Sequence, residues 1–290
     1  EEHATLPTIP SDTNTYTFGN IGKHNVVICR LPTAHYGTNN AAIVATHLQR
    51  SFRFLRIGLM VGIGGGVPGT PEDVRLGDVV VGTSTTQYDF GKDLIDEVFQ
   101  RTSLSVRPPQ HLATAVSALR TSHERTPATL SSMITDLISE GKIGRHYSNP
   151  GQDADQLFDS EYNHVPEMDD CLDCDVSKLV NRPLRPSEQP KIHYGGIASG
   201  NRVIKNAQAR DDIARKSGAI CFEMEAAGLV DHFHCLVIRG ICDYCDSHKL
   251  KNWQRYAAAV AAAYAREFLL ITLAIESNVG DSLPCDHDSV

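Results

Sequence analysis

Residues 219–246 read AICFEMEAAGLVDHFHCLVIRGICDYCD, and their pattern decides the fold. An apolar run opens the stretch, Phe222 to Ala227 reads as the start of a helix, and His234 to Gly240 is a second apolar run of strand length. Asp243 follows where that run ends, the place where open α/β sheets put their ligands. Its plainer reading is a cap on the next turn. Acids in a first helical turn complement the helix dipole, which accounts equally well for Glu223. Glu225 stands among Met224, Ala226 and Ala227, a costly setting for a carboxylate without a task. One carboxylate on a helix start and another at a strand end make a pair suited to sugar binding and proton donation.

Outward from this stretch, strands and helices alternate. Tyr16 to Gly19 and His24 to Cys29 read as two strands around a turn, and Thr38 to Leu55 as a helix with Ala42, Val44, Ala45, Leu48 and Phe52 roughly on one face. Ile57 to Ile63 is continuously apolar, as parallel strands covered on both sides are. It runs into Gly62-Ile63-Gly64-Gly65-Gly66-Val67-Pro68-Gly69, which contains G-x-G-x-x-G. A dinucleotide fold requires a helix there to hold the pyrophosphate, but a proline and Pro71-Glu72-Asp73-Val74-Arg75 follow. No Gly-Lys-Ser/Thr follows either, so the stretch is not a Walker loop. Its backbone N–H groups remain free to line a pocket, or the stretch is a plain tight turn.

Leu76 to Val81 is the next buried strand, and Gln87 to Pro109 reads mainly as loop. His111 to Arg120 and Pro127 to Glu140 read as helices. Residues 146–190 are rich in Asp, Pro, Asn and Ser and form an insertion or lid. Asp153, Asp155 and Asp159 there lack the glycine and final glutamate of a calcium loop. Lys191 to Ala198 is a strand ending in Ser199-Gly200-Asn201, Ala207 to Ser217 a helix, and Trp253 to Ile275 a long helix interrupted by Arg266 and Glu267. The sum is a three-layer α/β domain over 16–276 with a mostly parallel central sheet between helices, and loose ends at 1–15 and 277–290.

The 290 residues are 41% hydrophobic and 21% charged, with a formal net charge of −8, so neither a nucleic-acid nor a membrane partner is indicated. No secretory signal is visible, and the eight cysteines do not form a disulfide framework, which points to a reduced, cytoplasmic setting. There is no initiator methionine, so the chain reads as part of a longer protein. Cys171-x-x-Cys174 and Cys242-x-x-Cys245 raise the question of zinc. The long gap, with one pair in an acidic loop and the other at a strand end, is a poor match to a zinc ribbon, and no metal is expected.

Ile197-Ala198-Ser199-Gly200-Asn201, Phe222-Glu223-Met224-Glu225-Ala226-Ala227, and Val237 to Asp246 resemble the purine nucleoside phosphorylase and methylthioadenosine/S-adenosylhomocysteine nucleosidase superfamily. The glycine stretch followed by Arg75-Leu76-Gly77-Asp78-Val79-Val80-Val81 matches the same family, and order and spacing agree from about Phe18 to about Ile275. The wording is closest to the nucleoside phosphorylase-like domains at the start of fungal NOD-like receptors, where oligomerisation and repeat modules follow.

The resemblance implies a small-molecule purine nucleoside or nucleotide as ligand, no cofactor, and association into homo-oligomers. It assigns Glu225 to the ribose 2′- and 3′-hydroxyls, Met224 to the sugar and base, and Asp243 to proton donation at purine N7. Val203 and Ile204 flank the base, Gly64 and Gly65 line the pocket beside the sugar, and Glu223 and Ser199 complete the binding residues. Asp243 and Glu225 are thus expected around one cavity beside Gly65. Family phosphorylases hold phosphate with an R-x-G-S pattern where this chain has Met60-Val61-Gly62-Ile63, which favours water as the nucleophile and so a nucleosidase. Phosphorolysis, and a non-catalytic nucleoside-binding or signalling module, are the competing readings. The family's first strand, whose following loop carries a catalytic glutamate, has no counterpart in the sequence as given. Lys92, Arg101, Arg107 and Lys249 are the cations available to a 5′ phosphate, each otherwise a solvated surface charge.

Overall fold

The computed structural model describes residues 2–69, 72–95, 99–164, 171–249 and 251–272. Its central sheet has six strands: β4 (Gly58–Gly66), β5 (Val79–Gln87), β8 (Ser105–Val106), β9 (Ile192–Ser199), β10 (Ala219–Glu223) and β11 (Cys235–Asp243). They lie in the order β11-β4-β10-β9-β5-β8, and β5 also pairs with β11, so five of the strands close into a ring. The long ladders, β11–β4, β9–β5 and β10–β9, are parallel. The antiparallel contacts β10–β4, β11–β5 and β5–β8 span only two or three residue pairs each. The sheet is therefore mixed, with most of its length parallel.

Both faces of the sheet are covered, which is why its strands read as unbroken apolar runs. Leu236 and Ile238 of β11, with Val79 and Val81 of β5, pack under α2 (Gln110–Arg125), α3 (Leu130–Ser139) and α5 (Gln254–Ile271). Alternate residues Cys235, Val237 and Ile241, with Val80, pack against Ala41 and Ala45 of α1 (Thr38–Ser51). A third cluster lies beside α4 (Ala207–Ser217) and joins Tyr88, Ala198, Ile204, Ala214, Phe222 and Cys245.

The N-terminal strands β2 (Tyr16–Ile21) and β3 (His24–Cys29) form a separate sheet with β1 (Glu2–His3). Tyr16 and Phe18 close a small core on Leu48 and Phe52 of α1. Two further short strands, β6 (Gly91–Asp93) and β7 (Phe99–Arg101), pair antiparallel in the stretch read mainly as loop.

Three local expectations are corrected. Phe222 to Ala227 does not begin an α-helix: Phe222 and Glu223 end β10, and a single 3₁₀ turn, Ala226–Gly228, follows. Pairing of Cys221, Phe222 and Glu223 with β9 overrides the helix propensity of Glu, Met and Ala. The glycines at 64–66 are not a loop but the last residues of β4, paired with β10 and β11. The strand read as ending at Val81 continues to Gln87 along β9.

Among its described residues the 146–190 stretch carries short 3₁₀ turns and an isolated bridge, Phe158 to Leu179. Arg182 bonds Asp155 within the stretch at 3.0 Å, and the stretch is tied to the body by Arg182 on Tyr244 Oη at 2.9 Å and Arg185 on Asp78 at 2.6 Å. No described helix is long and apolar enough to cross a membrane.

Candidate active site

Asp243 ends β11 through a bulge. Ile241 is opposite Gly64 and Asp243 opposite Gly65, so Cys242 is an extra residue in the ladder. Without the extra residue, alternation would put Asp243 on the face of Arg239 and Ile241. With it, Asp243 lies on the Gly65 side, together with Cys245. A Cβ on Gly65 would stand 2.7 Å from Asp243 Oδ1 and collide with Cys245 Sγ, so only glycine admits this approach. A Cβ on Gly64, facing the other way, would meet the Phe222 carbonyl, Cys221 Sγ and the Arg239 Cβ.

Asp243 Oδ1 accepts hydrogen bonds from Lys249 Nζ at 2.9 Å and from the Cys245 backbone N–H at 2.8 Å. The Cys242 thiol donates to Oδ2 at 3.4 Å. Burial works against the charge on Lys249, but the facing Asp243 outweighs it, with help from Cys245, and holds the ammonium above its ordinary pKa. Lys249, read as a surface charge, is thus the counterion of the proposed acid.

Glu223 and Glu225 share a different cation. Arg239, in the middle of β11 and 4% exposed, bonds the Glu223 carboxylate and reaches Glu225 Oε2 at 3.2 Å. Burial disfavours the guanidinium charge, but Glu223 and Glu225 more than compensate and raise its pKa. Glu223 is buried, and its carboxylate also accepts from the backbone N–H groups of Glu225 at 3.1 Å and Ala226 at 3.0 Å. It therefore holds the start of the 3₁₀ turn that displays Glu225. Gly62 makes room for the guanidinium, because a Cβ there would collide with Arg239 Nη1. The Met60-Val61-Gly62-Ile63 segment thus lies along the Arg239 side chain.

The remaining expected residues divide. Ile204 is buried in the cluster with Tyr88, Phe222 and Cys245, next to the Asp243 side of the sheet, while Val203 is 48% exposed. Tyr88 meets Phe222 edge-on with centroids 5.7 Å apart, and its hydroxyl donates to the Arg202 carbonyl at 2.6 Å. Ser199 is fully buried, and its hydroxyl accepts from the Ala227 N–H at 2.8 Å, tying β9 to the Glu225 turn. Met224 and Glu225 are partly exposed.

Asp243 and Glu225 therefore stand just at or past the ends of β11 and β10, the two strands that flank β4, but each is paired with a cation of its own. The space directly beside Gly65 holds Asp243 and Cys245, where a shared cavity was expected. Of the residues that organise the site, the reading above had not given a role to Arg239, Tyr88 or Cys245. Only Arg239 left a signal, as a lone charge inside an apolar strand.

A mixed sheet closed on itself, with a carboxylate at the end of β11 and another on the turn after β10, defines a nucleoside phosphorylase-like fold. The sequence model of the phosphorylase superfamily matches residues 1–274, and the chain belongs to that family. It is 44% identical over 279 residues to a nucleotide-binding leucine-rich repeat (NLR)-like protein of Hyaloscypha variabilis, covering 93% of this chain but 27% of that protein. The chain thus spans about a quarter of the length of that relative. A 5′-methylthioadenosine/S-adenosylhomocysteine nucleosidase of Mycobacterium bovis is 24% identical over 258 residues, with 87% of this chain and 82% of that protein covered. Among solved structures, the nucleosidase of the same name from Neisseria meningitidis, complexed with methylthio-immucillin-A, superposes with TM-score 0.57 and 17% identity, covering 91% of this chain and 89% of that one. Futalosine hydrolase of Helicobacter pylori gives TM-score 0.55 and 14% identity, covering 91% and 87%.

Proposed function

We propose that the chain hydrolyses the N-glycosidic bond of a purine nucleoside or nucleotide, releasing the free purine. The observation that carries this reading is the Asp243 carboxylate, held at the end of β11 with two backbone or side-chain N–H donors on one oxygen, in a chain of the phosphorylase superfamily. Cleavage of the bond builds positive charge on the sugar and negative charge on the departing base. A proton shared between the base and Asp243 offsets the second, an effect worth about 10²–10⁴-fold. Glu225 is the carboxylate for the sugar hydroxyls, and Arg239 fixes its position. Ile204, Val203 and Met224 are the apolar groups for the base and sugar, next to the Tyr88–Phe222 pair. Gly64 and Gly65 act indirectly, by letting strand and acid approach each other. Water is favoured over phosphate because Met60 and Ile63 offer no charge to a phosphate dianion.

A second reading, a nucleoside-binding module without turnover, is favoured by the ion pairs. Lys249 and Arg239 each lie against one of the two carboxylates as its counterion. Incubation with adenosine, methylthioadenosine, AMP and ATP, followed by chromatography for free purine with and without phosphate, tests both. Phosphate-independent purine release is expected. Thermal stabilisation by nucleoside without any free purine would establish the binding module, and strict phosphate dependence would establish a phosphorylase.

A further inference from the structure

We propose that the chain binds a zinc ion through His164, Cys171 and Cys174, outside the site described above, and that this ion pins the 146–190 insertion to the loop that carries Asp243. One ligand atom from each of the three residues lies within 4.8 Å of the other two, the spacing of donors around one metal ion. The donor chemistry is that of zinc: two thiolates and an imidazole are softer than the oxygen sets that calcium and magnesium take, and close-packed S and N ligands impose a tetrahedron. The Cys171–Cys174 turn is already formed, with the Cys174 N–H donating to the Cys171 carbonyl at 3.2 Å. Cys174 is buried.

A second observation is independent of the three donors. His248 is 8% exposed, and both of its ring nitrogens are buried without a hydrogen-bond partner. Leaving such groups unsatisfied is costly, so they call for an explanation. The His248 ring stands edge-to-face with His164 at 5.5 Å between centroids and is stacked on Phe158 at 4.1 Å. It lies outside the three-donor group but beside His164, so a local shift of its ring would supply the fourth ligand of a tetrahedron.

The two cysteine pairs of the sequence do not meet in one site, because Cys245 packs against Gly65 and the Asp243 loop. What the sequence spacing hid is that a histidine seven residues before Cys171 replaces the second pair. The connection to the acid is short. The His164 N–H donates to Ser247 Oγ at 2.9 Å, and Ser247 and His248 lie between Asp243 and its counterion Lys249. Metal binding by residues of the insertion therefore orders the segment on which the Asp243–Lys249 pair depends.

The test uses the full chain, purified under reducing conditions and stripped with a chelator, then titrated with cobalt(II) and zinc(II) alone. One equivalent of cobalt is expected to give the intense visible bands of a tetrahedral site together with sulfur-to-metal charge transfer, and zinc should displace it. Cys171→Ser and Cys174→Ser should each weaken zinc binding at least a hundredfold, while Cys29→Ser, in β3, should leave it unchanged. His248→Ala should weaken it about tenfold or more; an unchanged affinity removes His248 from the ligand set. If a serine variant fails to fold, His164→Cys serves instead, since it keeps a three-thiolate site and should keep the metal with a stronger charge-transfer band. Absence of the cobalt bands in the unsubstituted chain overturns the proposal, as does a Cys171–Cys174 disulfide with no bound metal in protein kept reduced during purification.

Discussion

Lys249 Nζ lies 2.9 Å from Asp243 Oδ1, so the carboxylate at the end of β11 is half of an ion pair. Lys249→Met leaves that carboxylate without its counterion. If Asp243 acts on the departing base, the rate of purine release should change at least tenfold in Lys249→Met, read by chromatography of the free purine. Equal rates in the two proteins would separate the ion pair from the reaction.

Asp243→Asn keeps the shape of the side chain and removes the titrating group. Purine release should fall by about 10²–10⁴-fold, the usual worth of a positioned acid. Nucleoside binding, read as a ligand-induced rise in melting temperature, should persist. Loss of binding with full catalysis in the remaining complex would be the wrong sign for an acid.

Arg239 is buried between two carboxylates, and removing it leaves both without their shared partner. Arg239→Met should destabilise the fold by about 3–5 kcal/mol, the cost of uncompensated charge in an interior. Chemical denaturation would measure it. A loss under about 1 kcal/mol would mean that the pair is as weak as a surface salt bridge.

Asp78, just before β5, makes the protein sensitive to acid. Burial raises its pKa, but His193 at 2.8 Å and Arg185 outweigh that and hold it below the ordinary 3.8. A depressed carboxylate contributes stability that is present above its unfolded pKa and lost as pH falls through the folded one. Below about pH 4 the protein should therefore lose stability steeply. Asp78→Asn should lower stability at neutral pH and flatten that acid loss; an equally steep loss would assign it to other carboxylates.

Gly65→Ala puts a methyl group where Cys245 Sγ and Asp243 Oδ1 already sit. Overpacking of this kind costs about 1–3 kcal/mol and displaces neighbours. Activity should fall more than stability does, because the neighbour displaced is the proposed acid. Gly65→Ala with Cys245→Ala should recover part of both.

Much of this was legible beforehand. The helix Ala207–Ser217 has the bounds that the sequence suggests, and the structure shows why they are sharp: Asn206 accepts the Ala209 N–H at 2.9 Å as an N-cap and Gly218 ends the helix with φ +70°. Asp243 at a strand end was legible for the same kind of reason: a long apolar run stops there. What could not be read was pairing across the sheet. Glu223 sits among residues that favour helix, and only the ladder with β9 makes it a strand residue whose carboxylate turns inward to Arg239. Lys249 reads as any surface lysine until the loop 243–249 folds back on itself and brings it onto Asp243.

The surplus residue at Cys242 reaches further than its own ladder position. Deleting that one amino acid would leave hydropathy, net charge and the Arg-to-Asp motif almost untouched. Yet it would swing the carboxylate through the sheet, from Lys249 and the Ile204 side to the compartment that already houses Glu223 and Glu225. Three acids would then crowd a lone guanidinium. In this lineage, insertions and deletions just before the aspartate should therefore be far rarer than substitutions there.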